Sequence, residues 1–141
     1  MDKFGTAVWT GGLKDGSGHV STESGALTDQ PYGFRTRFEG VKGTNPEELV
    51  AAAHASCFAM ALSLMLGEAG FKADRLESKA VVTLEQKDGG FAVTKSHLTL
   101  HAAIPGIDQA AFDDITAKAK AGCPISKLLT AEVSLDATLA G

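Results

Sequence analysis

The chain has 141 residues, 44% of them hydrophobic and 21% charged, with a net charge of −4. That length fits one domain, 1–141, able to bury a core without staples, and the acidic balance excludes the basic face a nucleic-acid partner needs. The opening Met1-Asp2-Lys3-Phe4 has neither the basic nor the apolar segment of a secretory signal, so a cytoplasmic chain is expected.

In chain order, Phe4 to Trp9 reads as a short strand, followed by a Gly-rich turn through Gly18. His19 to Leu27 and Phe34 to Phe38 read as two further strands, with Pro31 and Gly33 punctuating between them. Asn45-Pro46-Glu47-Glu48 opens a helix: Asn45 caps it, Pro46 takes the first helical position, and the two acids meet the positive end of the dipole. That helix runs to about Gly67, with Gly70 placed to close it. Arg75 to Gln86 and Phe91 to Ala103 are strands joined by an Asp88-Gly89-Gly90 turn. Asp108 to Lys120 is an amphipathic helix, Gly122-Cys123-Pro124 breaks it, Ile125 to Leu129 starts a short second helix, and Glu132 to Leu139 alternates as a last strand. Segregated strands and helices indicate an α+β fold.

Leu49 to Leu66 carries no formal charge and reaches the lower length limit of a membrane span. It is Ala-rich and contains His54, Ser56 and Ser63, so no membrane is expected, and a helix apolar on all sides is otherwise one buried on all sides.

The chemistry rests on the cysteines. Structural disulfides are rare in a reducing compartment, so Cys57 and Cys123 are expected to be free, catalytic or metal-binding, with simple packing as the bland reading of each. Peroxide reduction needs an attacking thiolate, a second thiol to condense with the sulfenic acid, and a cation to hold the negative charge. Read locally, Cys123 is the better thiolate because Pro124 places it at a helix N-terminus, while Cys57 lies mid-helix among Ala53, Phe58 and Ala61, where desolvation opposes charge. His54 and Cys57 share a helix face at i and i+3, but no further ligand spacing supports a metal site.

The run Thr44-Asn45-Pro46-Glu47-Glu48-Leu49-Val50-Ala51-Ala52-Ala53-His54-Ala55-Ser56-Cys57-Phe58, together with Ala119-Lys120-Ala121-Gly122-Cys123-Pro124-Ile125-Ser126, resembles the motifs of the osmotically inducible protein C (OsmC) and organic hydroperoxide resistance (Ohr) family. The Thr36-Arg37-Phe38-Glu39-Gly40 segment and His54 resemble the OsmC branch. The resemblance implies an intertwined homodimer with antiparallel sheets around long central helices, and a thiol peroxidase of organic hydroperoxides that uses no prosthetic cofactor. It implies that Cys57 attacks and Cys123 resolves, the reverse of the local reading. It further implies that Arg37 holds the Cys57 thiolate while Glu47 orients Arg37, with an external dithiol, of lipoyl type, as reductant. Strand alternation would put Arg35 and Arg37 on one side; the motif selects Arg37.

Glu47 and Cys57 are ten residues apart, about 15 Å along a straight helix. One chain therefore cannot bring both to one site, and two sites mixing residues of both subunits are expected at a twofold interface. Phe38, Phe58, Met60 and Ile125 are candidate walls of an access pocket for alkyl peroxides. A thioesterase and an apolar-ligand module with bystander cysteines are the competing readings.

Overall fold

The computed structural model describes residues 1–141 and orders them as β1 (Gly5–Thr10), β2 (Ser17–Thr22), β3 (Gln30–Tyr32), α1 (Phe34–Phe38), α2 (Pro46–Glu68), β4 (Arg75–Lys87), β5 (Gly90–Ala103), α3 (Gln109–Gly122), α4 (Pro124–Leu128) and β6 (Glu132–Leu139). Two compact units divide the chain, Met1–Leu49 and Val50–Gly141.

In the first unit β1, β2 and β3 form an antiparallel sheet in that order. Trp9 and Tyr32 close over Gly18, ring centroids 5.6 Å apart. A Cβ at Gly18 would stand 2.6 Å from the Tyr32 ring and 2.7 Å from the Trp9 ring, so the aromatic contact itself requires glycine. All six residues of β1 are exposed, Val8 and Trp9 among them.

The sequence reads Phe34 to Phe38 as a strand, and the structure corrects this to one turn of helix. Its alternation of Arg with uncharged residues fits a strand, but the i, i+4 contacts favour a helix. Phe34 and Phe38 meet at 4.9 Å between ring centroids, and Arg35 Nε donates to Glu39 at 2.9 Å. The Thr36 hydroxyl accepts from the Gly33 amide at 2.8 Å and fixes the start of the turn. The third strand is instead Gln30–Tyr32, and β2 ends at Thr22 rather than Leu27.

Helix α2 begins in the first unit and runs on through the second, and it behaves as its caps foretell. The Glu48 amide donates to Asn45 Oδ1 at 2.8 Å, and the chain leaves the helix through Gly70 at φ 87°. The helix buries one stripe, His54, Phe58, Leu62 and Leu66, spaced at i, i+4, i+8 and i+12. Against it stand Leu98, Leu100 and Ala102 of β5, and Phe112, Ile115 and Ala119 of α3. Each fully buried Phe or Leu of this core is worth about 1.5–3 kcal/mol. By length and composition α2 is apolar enough to cross a membrane, yet its buried stripe is part of this core.

β4 and β5 pair antiparallel through the Asp88-Gly89 turn, both residues at positive φ (51° and 82°), as a two-residue hairpin requires. The wholly antiparallel expectation fails at one pair: β6 lies parallel to β5, from Lys95↔Glu132 to Ala102↔Leu139. A parallel pair needs a long crossover, and α3 and α4 supply it. Asp108 caps α3 by accepting from the Ala111 amide at 2.7 Å.

Candidate active site

The structure brings the four candidate residues together as two pairs. Arg37 and Glu47 meet in the first unit. Because α1 is helical, Arg35 and Arg37 lie about 200° apart around its axis and not on one side, as a strand would have them. Arg35 takes Glu39, while Arg37 reaches Glu47 in the first turn of α2. Arg37 Nη2 donates to Glu47 Oε1 at 2.6 Å, and Arg37 Nε lies 3.1 Å from both carboxylate oxygens. This is a charge-assisted, forked contact, with the two side chains 32% and 13% exposed. The guanidinium also lies 5.3 Å from the centre of the Phe38 ring. Around it Trp9, Tyr32, Phe34, Phe38 and Pro46 line a mostly apolar cavity of about 220 Å³.

Cys57 and Cys123 meet in the second unit. Both are free thiols. Cys57, on α2, is half-buried and opens into a broad apolar groove of about 800 Å³ walled by Met60, Leu64, Met65, Pro124 and Ile125. Cys123 is fully buried at the N-cap of α4, in hydrogen-bonding contact with the Cys57 thiol. Of the expected pocket walls, Met60 and Ile125 line this groove and Phe38 lines the cavity at Arg37. Phe58 does neither: it is 0% exposed and belongs to the core, because position i+4 from His54 falls on the buried stripe.

The electrostatics of the thiols differ. Burial, aided by the contact with Cys123, pushes the Cys57 thiol up, and the Ile125 amide only partly offsets it. Burial also opposes charge on Cys123, but the Cys57 thiol, the amides of Ser126 and Ile125, and the Ser126 hydroxyl together favour the anion, so its value falls. The sulfur makes no full capping bond to α4; the amides face it from the first turn. Within one chain the more acidic thiol is thus the buried one, as the local reading of Gly-Cys-Pro anticipates.

His54 is fully buried beside this pair. Its Nδ1 is hydrogen-bonded to Ser96 Oγ at 2.6 Å and its Nε2 to Ser126 Oγ at 2.8 Å. Desolvation lowers its pKa and favours the neutral ring. Both ring nitrogens are engaged. Ser96 and Ser126 are the site residues the sequence reading missed: they lie 42 and 72 residues from His54, and no local pattern joins them.

An α+β scaffold thus sets a half-exposed free cysteine on a long helix against a buried free cysteine at the start of a short one. Residues 39–138 match the OsmC-like protein family, and the chain belongs to it. It is 61% identical over 136 residues to Peroxiredoxin OsmC of Escherichia coli (strain K12), spanning 96% of this chain and 95% of that one. It is 30% identical over 120 residues, 84% of this chain and 86% of the other, to organic hydroperoxide resistance protein OhrB of Bacillus subtilis (strain 168). The crystal structure of OhrB of Bacillus subtilis superimposes with a TM-score of 0.69 at 28% identity, over 97% of this chain and 98% of that one.

Proposed function

We propose that this chain is a cysteine-based peroxidase that reduces organic hydroperoxides to alcohols in stress defence, with Cys57 attacking and Cys123 resolving. The observation that carries the reading is the pairing of a groove-facing Cys57 with a buried Cys123 in contact behind it. A peroxide arriving through the groove meets Cys57 first, and the sulfenic acid formed there already has its condensation partner. Exposure thus favours Cys57 as attacker even though intrachain electrostatics favour the Cys123 thiolate.

What Cys57 lacks is a cation, and Arg37, held by Glu47, is the one we assign to it. The two pairs are joined across a homodimer, Arg37 and Glu47 of one subunit serving Cys57 of the other. Two observations support this. Helix α2 is unbroken from Pro46 to Glu68, which separates Glu47 from Cys57 by about 15 Å along its axis. And α2 leaves Met60 75% and Leu64 63% exposed, an apolar face beside the attacking thiol that a second copy would cover.

The Cys57 thiolate attacks the terminal peroxide oxygen. An S–O bond forms as the O–O bond breaks, and the alkoxide leaves as the alcohol after taking a proton from water. Cys123 then condenses with the sulfenic acid, releasing water and forming the Cys57–Cys123 disulfide. An external dithiol of lipoyl type restores both thiols by exchange, with no prosthetic cofactor. A reducing cytoplasm suits that cycle. Residues 1–141 act as one domain, as the alignment over 96% of the chain with the Escherichia coli relative supports.

The test follows cumene hydroperoxide consumption with a dithiol for wild type, Cys57→Ser and Cys123→Ser. Cys57→Ser should be inactive, while Cys123→Ser should complete one turnover and stop. Full activity in both variants would end the peroxidase reading.

A further inference from the structure

His54 is a buried titratable group that the cysteine cycle leaves unused. It occupies the stripe of α2 that otherwise holds Phe58, Leu62 and Leu66. An apolar residue there would avoid the cost of burying an imidazole, which must be repaid by hydrogen bonds at both nitrogens. Those bonds form a continuous path. Ser96 on β5 meets Nδ1, Nε2 meets the Ser126 hydroxyl at 2.8 Å, and that hydroxyl reaches Cys123, which contacts Cys57. Ser96 and His54 are both 0% exposed, so the far end of the path is closed to water.

We propose that His54 and Ser126 form a proton relay for the disulfide-forming step. Ser126 touches the reacting sulfur and is the catalytic residue; His54, acting through it, is a positioning residue that also holds the proton. The proposal rests on the assignment of Cys57 as attacker and Cys123 as resolver. As Cys123 Sγ attacks the sulfenic Cys57 Sγ, the S–S bond forms and the S–O bond breaks. The Cys123 proton passes to Ser126 Oγ while the Ser126 proton passes to His54 Nε2. Cys123 is oxidised and Cys57 reduced, and the sulfenic oxygen leaves as hydroxide. The imidazolium returns its proton back through Ser126 to that hydroxide, which leaves as water, so no proton is gained or lost overall. Burial, with no charged neighbour contributing, disfavours that imidazolium, which makes its release prompt. Ser96 at Nδ1 fixes the ring so that Nε2 faces Ser126.

The experiment reads the two steps separately after mixing reduced protein with one equivalent of cumene hydroperoxide. Peroxide loss reports the first step. Disulfide formation, quenched by alkylation and weighed by mass spectrometry, reports the second. General acid–base catalysis of this kind is worth on the order of 10²-fold. Ser126→Ala and His54→Gln should slow disulfide formation by about that factor and let a dimedone-trappable sulfenic acid accumulate on Cys57, with the peroxide step little changed. Ser126→Thr, which keeps the hydroxyl, should restore the second step. Disulfide formation at the wild-type rate in Ser126→Ala would overturn the relay. So would equal slowing of both steps that Ser126→Thr fails to rescue, since that marks a structural role. Cys123→Ser protein, which has no thiol to condense, that forms no sulfenic acid on Cys57 would overturn the cysteine assignment itself, whatever the relay variants do.

Discussion

Glu47→Gln isolates the part of the account that joins the two pairs. Glu47 accepts from Arg37 at 2.6, 3.1 and 3.1 Å, and it is the less exposed partner at 13% against 32%. The amide keeps the shape but loses the charge, and it turns an N–H₂ toward a guanidinium that has only donors. Charge-assisted bonds contribute about 1.5–3 kcal/mol each when buried; for a forked pair with one side a third exposed, about 2 kcal/mol in total is a reasonable discounted figure. If all of it is felt through the position of Arg37, activity falls about 30-fold. The assay is a double-mutant cycle of Arg37→Met, Glu47→Gln and the double variant. Its readouts are iodoacetamide alkylation of Cys57 and kcat/KM for cumene hydroperoxide. Because Glu47 is argued to act only through Arg37, Glu47→Gln should add nothing in the Arg37→Met background. Independent, multiplying losses in the double variant, or an alkylation rate untouched by either change, would refute the reasoning.

Leu64→Glu places a charge on the exposed apolar face of α2. A Leu buried at a dimer interface contributes about 1.5–3 kcal/mol per copy, and two copies are changed at once. Sedimentation should therefore show a shift from twice the chain mass to the chain mass, with peroxidase activity falling in step; unchanged mass would contradict a dimer built on that face. The folded state holds the His54 pKa below its ordinary 6.5. As pH falls through 6.5, the unfolded chain takes up a proton that the folded chain refuses, so stability is lost from there down to the folded value. Melting temperatures at pH 7.5 and 5.5 should drop further for wild type than for His54→Gln, and parallel drops would contradict the neutral buried ring.

The elements announced by local chemistry are those the sequence makes legible. Asn45-Pro46, Asp88-Gly89 and Asp108 each satisfy or free the backbone within a few residues, so the starts of α2 and α3 and the β4–β5 hairpin follow from them. Phe34 to Phe38 deceives because five residues fit both periods; the Phe34–Phe38 and Arg35–Glu39 contacts decide for the helix only once Gly33 and Thr36 have set the turn. The parallel seat of β6 depends on where α3 and α4 deliver it, which alternation within Glu132–Leu139 does not encode. At the candidate site, residue types and motif nominate both cysteines, Arg37 and Glu47, and the structure brings them together as two pairs. The serines that flank His54 are legible only in three dimensions. Local electrostatics point to Cys123 as the thiolate, and the structure upholds that within one chain; exposure, which no local pattern reveals, is what favours Cys57 as the residue a peroxide reaches.

The most direct test is mass spectrometry of the reduced protein after one equivalent of an organic hydroperoxide. The account predicts loss of two hydrogens, one equivalent of alcohol, and a single disulfide linking Cys57 to Cys123 within the same chain. Stable oxidation of Cys123 with Cys57 still free, or a chain left unmodified while the peroxide persists, would contradict it.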